Sequence, residues 1–278
     1  MRHGATLKQK KETIKVSKTK VIAFANNKGG SGKSTCASNV GYAMSILGKR
    51  VLLIDADMQL NLTLSFFDEE QTMSFVQNGE NIYTAVKEEA DAAKFIKNTE
   101  YKNLDLIPSS TLMSSIEYEL YPKKNRDKIL QKVLKPIIKS EKYDYILIDS
   151  PPTLGGWVAN ILFAGDFVLI PVEASPWGLF GLANMFDFCF TQAEAGAKAK
   201  ILGIAVTKAD TRKNYFKQTM DTLRESDVAY VFENYIRLDS NVEWSQDNSK
   251  PVVAYKRYSR SAIEYIELAK EIMERANR

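Results

Sequence analysis

Residues 20–47 leave this chain little freedom in how to begin folding. "KVIAFAN" (20–26) is a short apolar run of strand type, and the glycine-rich turn through "KGGSGKST" (28–35) follows at once. A helical pattern then continues to about Leu47, where Gly48 can end it. The same strand style recurs in "RVLLIDAD" (50–57), "LDLIPSS" (104–110), "YDYILIDSPP" (143–152), "DFVLIPVEA" (166–174) and "KILGIAVTKAD" (200–210), with "VFENYI" (231–236) as a weaker candidate. Helical patterns fall between them over roughly 111–120, 125–139, 178–197, 211–226 and 259–276. Residues 58–103 hold two or three short helices that decorate the sheet. Alternation of this kind predicts an α/β fold with a doubly wound, mostly parallel β-sheet flanked by helices. The nearly unbroken apolar stretch of "YDYILIDSPP" suits a central strand covered on both faces.

Composition bounds the rest. Of the 278 residues, 45% are hydrophobic and 26% charged, enough to bury a sizeable core. No apolar run approaches the ~18 residues that a membrane helix needs, and the N-terminus lacks a signal-peptide core. A cytoplasmic location is therefore expected. Cys36 and Cys189 stand alone in sequence; they are either buried, reduced thiols or two residues that meet in space. The net charge of +4 is unevenly placed. Residues 1–20 hold seven of the 38 basic side chains and only Glu12 of the 34 acidic ones, leaving 31 basic against 33 acidic elsewhere. The expected organisation is a basic leader over 1–19 and a single domain over 20–278. The leader reads either as a solvated terminus or as a polyanion-binding arm.

In sheets of this kind ligands bind beyond the carboxyl ends of the strands, and the chemistry-bearing residues fall there repeatedly. Gly29, Gly30 and Gly32 let backbone N–H groups of the loop, including that of Ser31, approach phosphate oxygens. The helix that starts near Lys33 directs its positive end at the same anion. Lys33 is expected to bridge β- and γ-phosphates, Ser34 to ligate Mg²⁺, and Thr35 to reach the α-phosphate. Yet the familiar loop G-x-x-x-x-G-K-[ST] has a glycine where this chain has Asn27, and a second lysine, Lys28, stands beside the gap. Asp149 ends the most apolar strand and reads as an Mg²⁺-holding carboxylate or as a strand-end cap. Asp55 and Asp57 are expected on one side of their strand, near the γ-phosphate, where one can orient an attacking water. Two acids at an exposed strand end fit the spacing equally well. Thr207, Lys208 and Asp210 form a "TKAD" segment of the [NT]-K-x-D kind that reads guanine in GTPases, although no Asp-x-x-Gly segment follows the Asp149 strand.

Taken together, "KGGSGKST", "IDADMQLN", "YDYILIDSPP" and "KPVVAYKRYSRSAIEYIELAKEI" resemble the ParA branch of the ParA/MinD superfamily, in order and across nearly all of residues 20–276. The resemblance implies that Lys28 is the signature lysine of a deviant Walker A loop, reaching across a nucleotide-sandwich homodimer to the partner's phosphates. Lys33 becomes the in-cis phosphate lysine, Ser34 an Mg²⁺ ligand, Asp149 the Walker B acid and Asp57 the acid that positions water. Asp55 would support the metal's water shell. The implied activity is a weak, partner-stimulated ATPase cycling between ATP and ADP with Mg²⁺. Its ATP-bound dimer would bind DNA non-specifically on the nucleoid and respond to a centromere-bound adaptor of the ParB class.

Departures from the family pattern are plain. Met58 and Leu60 stand where the family has Pro and Gly in Asp-Pro-Gln-Gly-Asn. Trp244-Ser245-Gln246 and Ser249-Lys250-Pro251 replace Glu-Ala-Pro and Gly-Lys-Pro near the base. The leader is shorter than the helix-turn-helix domain of long family members, so operator-specific repression is not expected. Candidate DNA contacts are Lys250, Lys256, Arg257 and Arg260, interleaved with Tyr255 and Tyr258; a solvated surface is the plain alternative. Three other functions compete. A MinD-like membrane-cycling ATPase needs an amphipathic basic C-terminal anchor, whereas this C-terminal helix mixes four Glu with its basic residues. An iron-protein-like electron donor needs cysteines bridging a dimer. A TKxD-reading GTPase is the third, and nucleotide competition between ATP and GTP distinguishes it.

Overall fold

The computed structural model describes residues 18–175 and 178–278; nearly all of the basic leader, residues 1–17, lies outside the described residues. One seven-stranded sheet organises the fold. Its strands are β1 (Lys20–Phe24), β2 (Val51–Asp55), β3 (Lys97–Asn98), β4 (Leu104–Ile107), β5 (Tyr145–Asp149), β6 (Phe167–Glu173) and β7 (Lys200–Thr207). In space they run β3-β4-β2-β5-β1-β6-β7, with only β3 antiparallel to its neighbour. The helices are α1 (Lys33–Ile46), α2 (Asn61–Leu64), α3 (Glu69–Gln77), α4 (Ile82–Lys87), α5 (Ile116–Leu120), α6 (Ile129–Ser140), α7 (Gly156–Ala164), α8 (Leu182–Glu194), α9 (Asn214–Glu225), α10 (Ser240–Asp247), α11 (Val252–Tyr255) and α12 (Arg260–Ala276).

The expected doubly wound architecture is present, and its cause is visible residue by residue. Successive side chains of a strand face opposite ways. In β1, Val21 and Ala23 enter a core layer with α4 to α9, while Ile22 and Phe24 enter another beneath α1, α11 and α12. Every residue of β5 is buried and the strand lies between β1 and β2, the central position its apolar run implies.

Two local expectations change and one helix is new. The "VFENYI" segment forms only an isolated bridge, Val231 with Ile204. The Phe232 and Ile236 amides still donate to the Ile204 and Val206 carbonyls of β7 (2.9 Å each), but those of Glu233 and Asn234 between them go to the Glu271 carboxylate of α12 (2.8 and 3.0 Å). Helix α7 follows the two prolines after β5 in a stretch with no apolar periodicity. From Trp157 to Ala164 each of its residues is buried, so no polar face marks it as a helix. The region 111–120 divides into a 3₁₀ turn at Thr111–Ser115 and then α5.

Candidate nucleotide site

The loop after β1 and the start of α1 form one wall of a cleft of about 590 Å³ above the carboxyl ends of the strands. Gly30 and Gly32 have φ of 74° and 89°, a region costly for any residue with a Cβ. Gly32 is also the N-cap of α1, and no side chain caps that helix. The first N–H groups of α1 therefore lack a side-chain acceptor at the cleft, which is the arrangement an anion fits. Thr207 braces the loop from behind, its hydroxyl donating to the Ser31 carbonyl at 2.9 Å. Gly29, Gly30, Gly32, Lys33, Ser34 and Thr35 all line the cleft.

Lys33 is nine-tenths buried, and its ammonium donates to the Lys28 carbonyl at 3.3 Å. Burial pulls its pKa down, against the opposing pull of Asp149 and Asp57. Asp149 is fully buried at the end of β5, and among the described residues neither of its carboxylate oxygens has a hydrogen-bond partner. Burial first, and Asp55 second, push its pKa well above the usual carboxylate range; the neighbouring Ser34 hydroxyl and Lys33 act the other way. A buried carboxylate with both oxygens free, beside a serine hydroxyl, fits a hydrated Mg²⁺.

The two acids of "IDAD" take different places. Asp57 lines the cleft and accepts from the Gln59 N–H at 3.1 Å. Its pKa is raised by burial, with the Gln59 amide and Lys33 pulling it back. Asp55 does not line the cleft, contrary to the expectation that both acids face the γ-phosphate together. One of its oxygens accepts from the Thr63 N–H (2.8 Å) and hydroxyl (2.7 Å), the other from the Asp57 N–H (3.2 Å). The strand ends at Asp55, so simple alternation no longer governs Asp57. Burial lifts the Asp55 pKa to about 6 despite the Thr63 bonds. Replacing Thr63 by valine removes one of those donors, and with it the hydroxyl that accepts from the Ser109 N–H. The expected cost is about 2 kcal/mol, read from the midpoint of a urea unfolding curve.

Lys28 turns away from the cleft of its own chain. Its ammonium lies 3.1 Å from the Glu173 carboxylate and 3.5 Å from the Ser175 hydroxyl, at the end of β6. Lys208 lines the cleft, but Asp210 does not. The Arg212 guanidinium forms a two-pronged pair with Asp210 (2.9 and 3.0 Å) and holds its pKa at about 2.

The opposite wall comes from residues that sequence reasoning did not assign. Ile236–Asp239 and the first helical face of α10 border the cleft, and Gln246 donates to the Thr35 hydroxyl at 3.1 Å. Asp239 caps α10 by accepting from the Asn241 N–H, a local signal that the sequence does carry. The candidate DNA-contacting residues Lys250, Lys256, Arg257 and Arg260 are all exposed. Two are tied to this wall: the Lys256 ammonium donates to the Asn241 side chain (3.0 Å) and Arg260 to the Leu238 carbonyl (2.7 Å). Lys250 lies 3.9 Å from Glu100.

A family model described as AAA domain matches residues 19–201. The sporulation initiation inhibitor protein Soj of Bacillus subtilis is 33% identical over 254 residues, covering 91% of this chain and 98% of that protein. The chromosome partitioning protein ParA of Caulobacter vibrioides is 30% identical over 257 residues, covering 92% and 94%. Among solved structures, a Borrelia burgdorferi protein assigned to plasmid partition and crystallised with AMPPNP superposes with a TM-score of 0.73. It is 27% identical, over 92% of this chain and 98% of that one.

Proposed function

The chain belongs to the ParA/Soj family of P-loop ATPases, and from that membership we propose a partitioning cycle driven by ATP at this cleft. ATP with Mg²⁺ is the nucleotide state that closes a homodimer; the dimer binds DNA non-specifically on the nucleoid, and hydrolysis stimulated by a ParB-class adaptor releases it. The reading rests above all on Asp149, a fully buried carboxylate whose two oxygens have no partner among the described residues, beside Ser34, Lys33 and a helix start with no side-chain cap among those residues.

Each residue then has a task. The amides of Gly29, Gly30, Ser31 and Gly32 cradle phosphate oxygens, Lys33 neutralises the β- and γ-phosphates, and Thr35 stands at the α-phosphate end. Ser34 and Asp149 hold the metal, with Asp55 as a buried support one layer away. Held by these residues, Mg²⁺ would supply Lewis-acid stabilisation of the negative charge that develops on the phosphate. Asp57, on the cleft wall and steadied by the Gln59 N–H, orients the attacking water. Lys28 serves the neighbouring subunit; its place on Glu173, outside its own cleft, is compatible with that role. Residues 20–278 act as one ATPase unit, and the basic leader adds electrostatic attraction for DNA. Among the described residues no helix is long and apolar enough to cross a membrane.

The testing experiment is light scattering and duplex binding with ATP, ADP or no nucleotide, repeated across a salt series. The proposal expects a doubling of mass and DNA binding only with ATP, with affinity falling steeply as salt rises. A monomer that binds DNA equally in all three states would sink it.

For the base, Asp210 held by Arg212 argues for ATP over a guanine-reading site. Asp210→Ala is expected to leave ATP affinity within about twofold, as for an ordinary surface change. A competition titration with GTP checks it: GTP displacing ATP at equal concentration, and losing that ability in the variant, would favour the GTPase reading.

A further inference from the structure

Trp157 sits in the first turn of α7, next to the segment after β5, and is 2% exposed. Shape alone would explain a large apolar ring there, but its indole also carries a proton donor. That N–H donates to the Ala56 carbonyl at 2.9 Å, across 101 residues of chain. Ala56 is the residue between the two acids of "IDAD". Its own N–H donates to the Asp149 carbonyl at 3.0 Å. The short stretch from Asp55 to Asp57 is therefore held from two sides, by the last residue of β5 and by the first turn of α7.

Beyond β2 no further strand pairing fixes this stretch. The Asp57 side chain takes its direction from the backbone, through its bond with the Gln59 N–H. Trp157 is anchored in turn: its backbone N–H donates to the Glu117 carboxylate at 3.2 Å. Gly155 leaves room for that carboxylate, since a Cβ there would come within 2.1 Å of the same oxygen. A chain of contacts thus runs from α5 through α7 to the residue beside Asp57.

We infer that Trp157 is a positioning residue for hydrolysis, whose indole N–H fixes the peptide between Asp55 and Asp57 and so aims the Asp57 carboxylate at the attacking water. This rests on the role of Asp57 proposed above. Fixing a buried carbonyl with a directed donor restricts the peptide plane in a way that ring packing does not. Small errors in the aim of a water-orienting group are costly in rate.

The experiment replaces Trp157 with 3-benzothienylalanine by site-specific incorporation, which keeps the two-ring shape and substitutes sulfur for the N–H. Trp157→Phe is the simpler companion. Single-turnover ATP hydrolysis, equilibrium nucleotide affinity and thermal unfolding are measured in each, and again in an Asp57→Ala background. The expected result is a roughly tenfold fall in the hydrolysis rate with nucleotide affinity unchanged. In the Asp57→Ala protein, already slow, the same replacement should add less than a twofold effect. Affinity that weakens in step with the rate would mark Trp157 as core packing alone and overturn the inference. So would an unchanged rate in a protein that Asp57→Ala inactivates, which leaves the role of Asp57 standing. Full activity of Asp57→Ala itself would overturn that role and the inference together.

Discussion

Asp149→Asn protein, free of nucleotide and Mg²⁺, is expected to unfold at a higher temperature than the wild type while losing Mg²⁺-dependent ATP hydrolysis by at least about a hundredfold. Asp57 and Asp149 both act on the Lys33 ammonium, Asp55 repels Asp149, and Asp149 is the one of the three whose oxygens have no partner among the described residues. Neutralising it relieves repulsion with Asp55 and removes an unpaired buried charge. The gain should be on the order of 2 kcal/mol, a shift of several degrees, seen by calorimetry. Function and stability therefore pull in opposite directions at this residue. The pH dependence has a definite sign. Asp55 and Asp149 both have folded pKa values above the ordinary 3.8, with Asp55 near 6. Their contribution to stability is fully present below 3.8 and is lost as pH rises through the folded values. The advantage of asparagine should accordingly be small near pH 4 and grow through pH 6. A variant less stable than the wild type at pH 7 would mean that Lys33 depends on the Asp149 charge.

Lys28→Ala protein is expected to keep its nucleotide affinity within about twofold yet remain monomeric with AMPPNP and Mg²⁺, and to lose DNA binding with the dimer. The ion pair it forms with Glu173 joins side chains 27% and 29% exposed, so its removal should cost less than about 1 kcal/mol of stability. The lost contact to a neighbour's phosphates, desolvated in a closed dimer, is worth about 2–5 kcal/mol. That difference separates the roles: a fold left intact and an assembly lost. Lys33→Ala is the control, because it should lose nucleotide binding itself. Mass measurement by light scattering decides it, and a Lys28→Ala dimer binding DNA at full strength would sink the trans-acting role.

Much of this was legible in the chain. The loop and the helix after it follow from glycines and a lysine within a dozen residues, and β5 follows from five consecutive apolar or acidic positions ending at Asp149. Such features depend on near neighbours, which a sequence displays. Helix α7 was hidden because burial on every side removes the periodicity that marks a helix. The weak strand at 231–236 is interrupted because two of its amides, those of Glu233 and Asn234, are taken by Glu271, some 37 positions away. The spacing of Asp55 and Asp57 treats them alike, and nothing local says that Thr63 claims the first of them.

Sequence alone determined the order of the main parallel strands, the phosphate cradle and the acid at the end of the central strand, since backbone preference and apolar spacing act over a few residues. Tertiary structure decided which side chains were left free to act. It engaged Asp55 with Thr63, Asp210 with Arg212 and Lys28 with Glu173, and left Asp149 without a hydrogen-bond partner among the described residues. It also brought Gln246 to Thr35 across 211 residues and Trp157 to Ala56 across 101. Hydrogen bonds reach only about 3 Å, so partners distant in sequence are chosen by the packing of whole layers, and that choice is made only when the sheet is assembled.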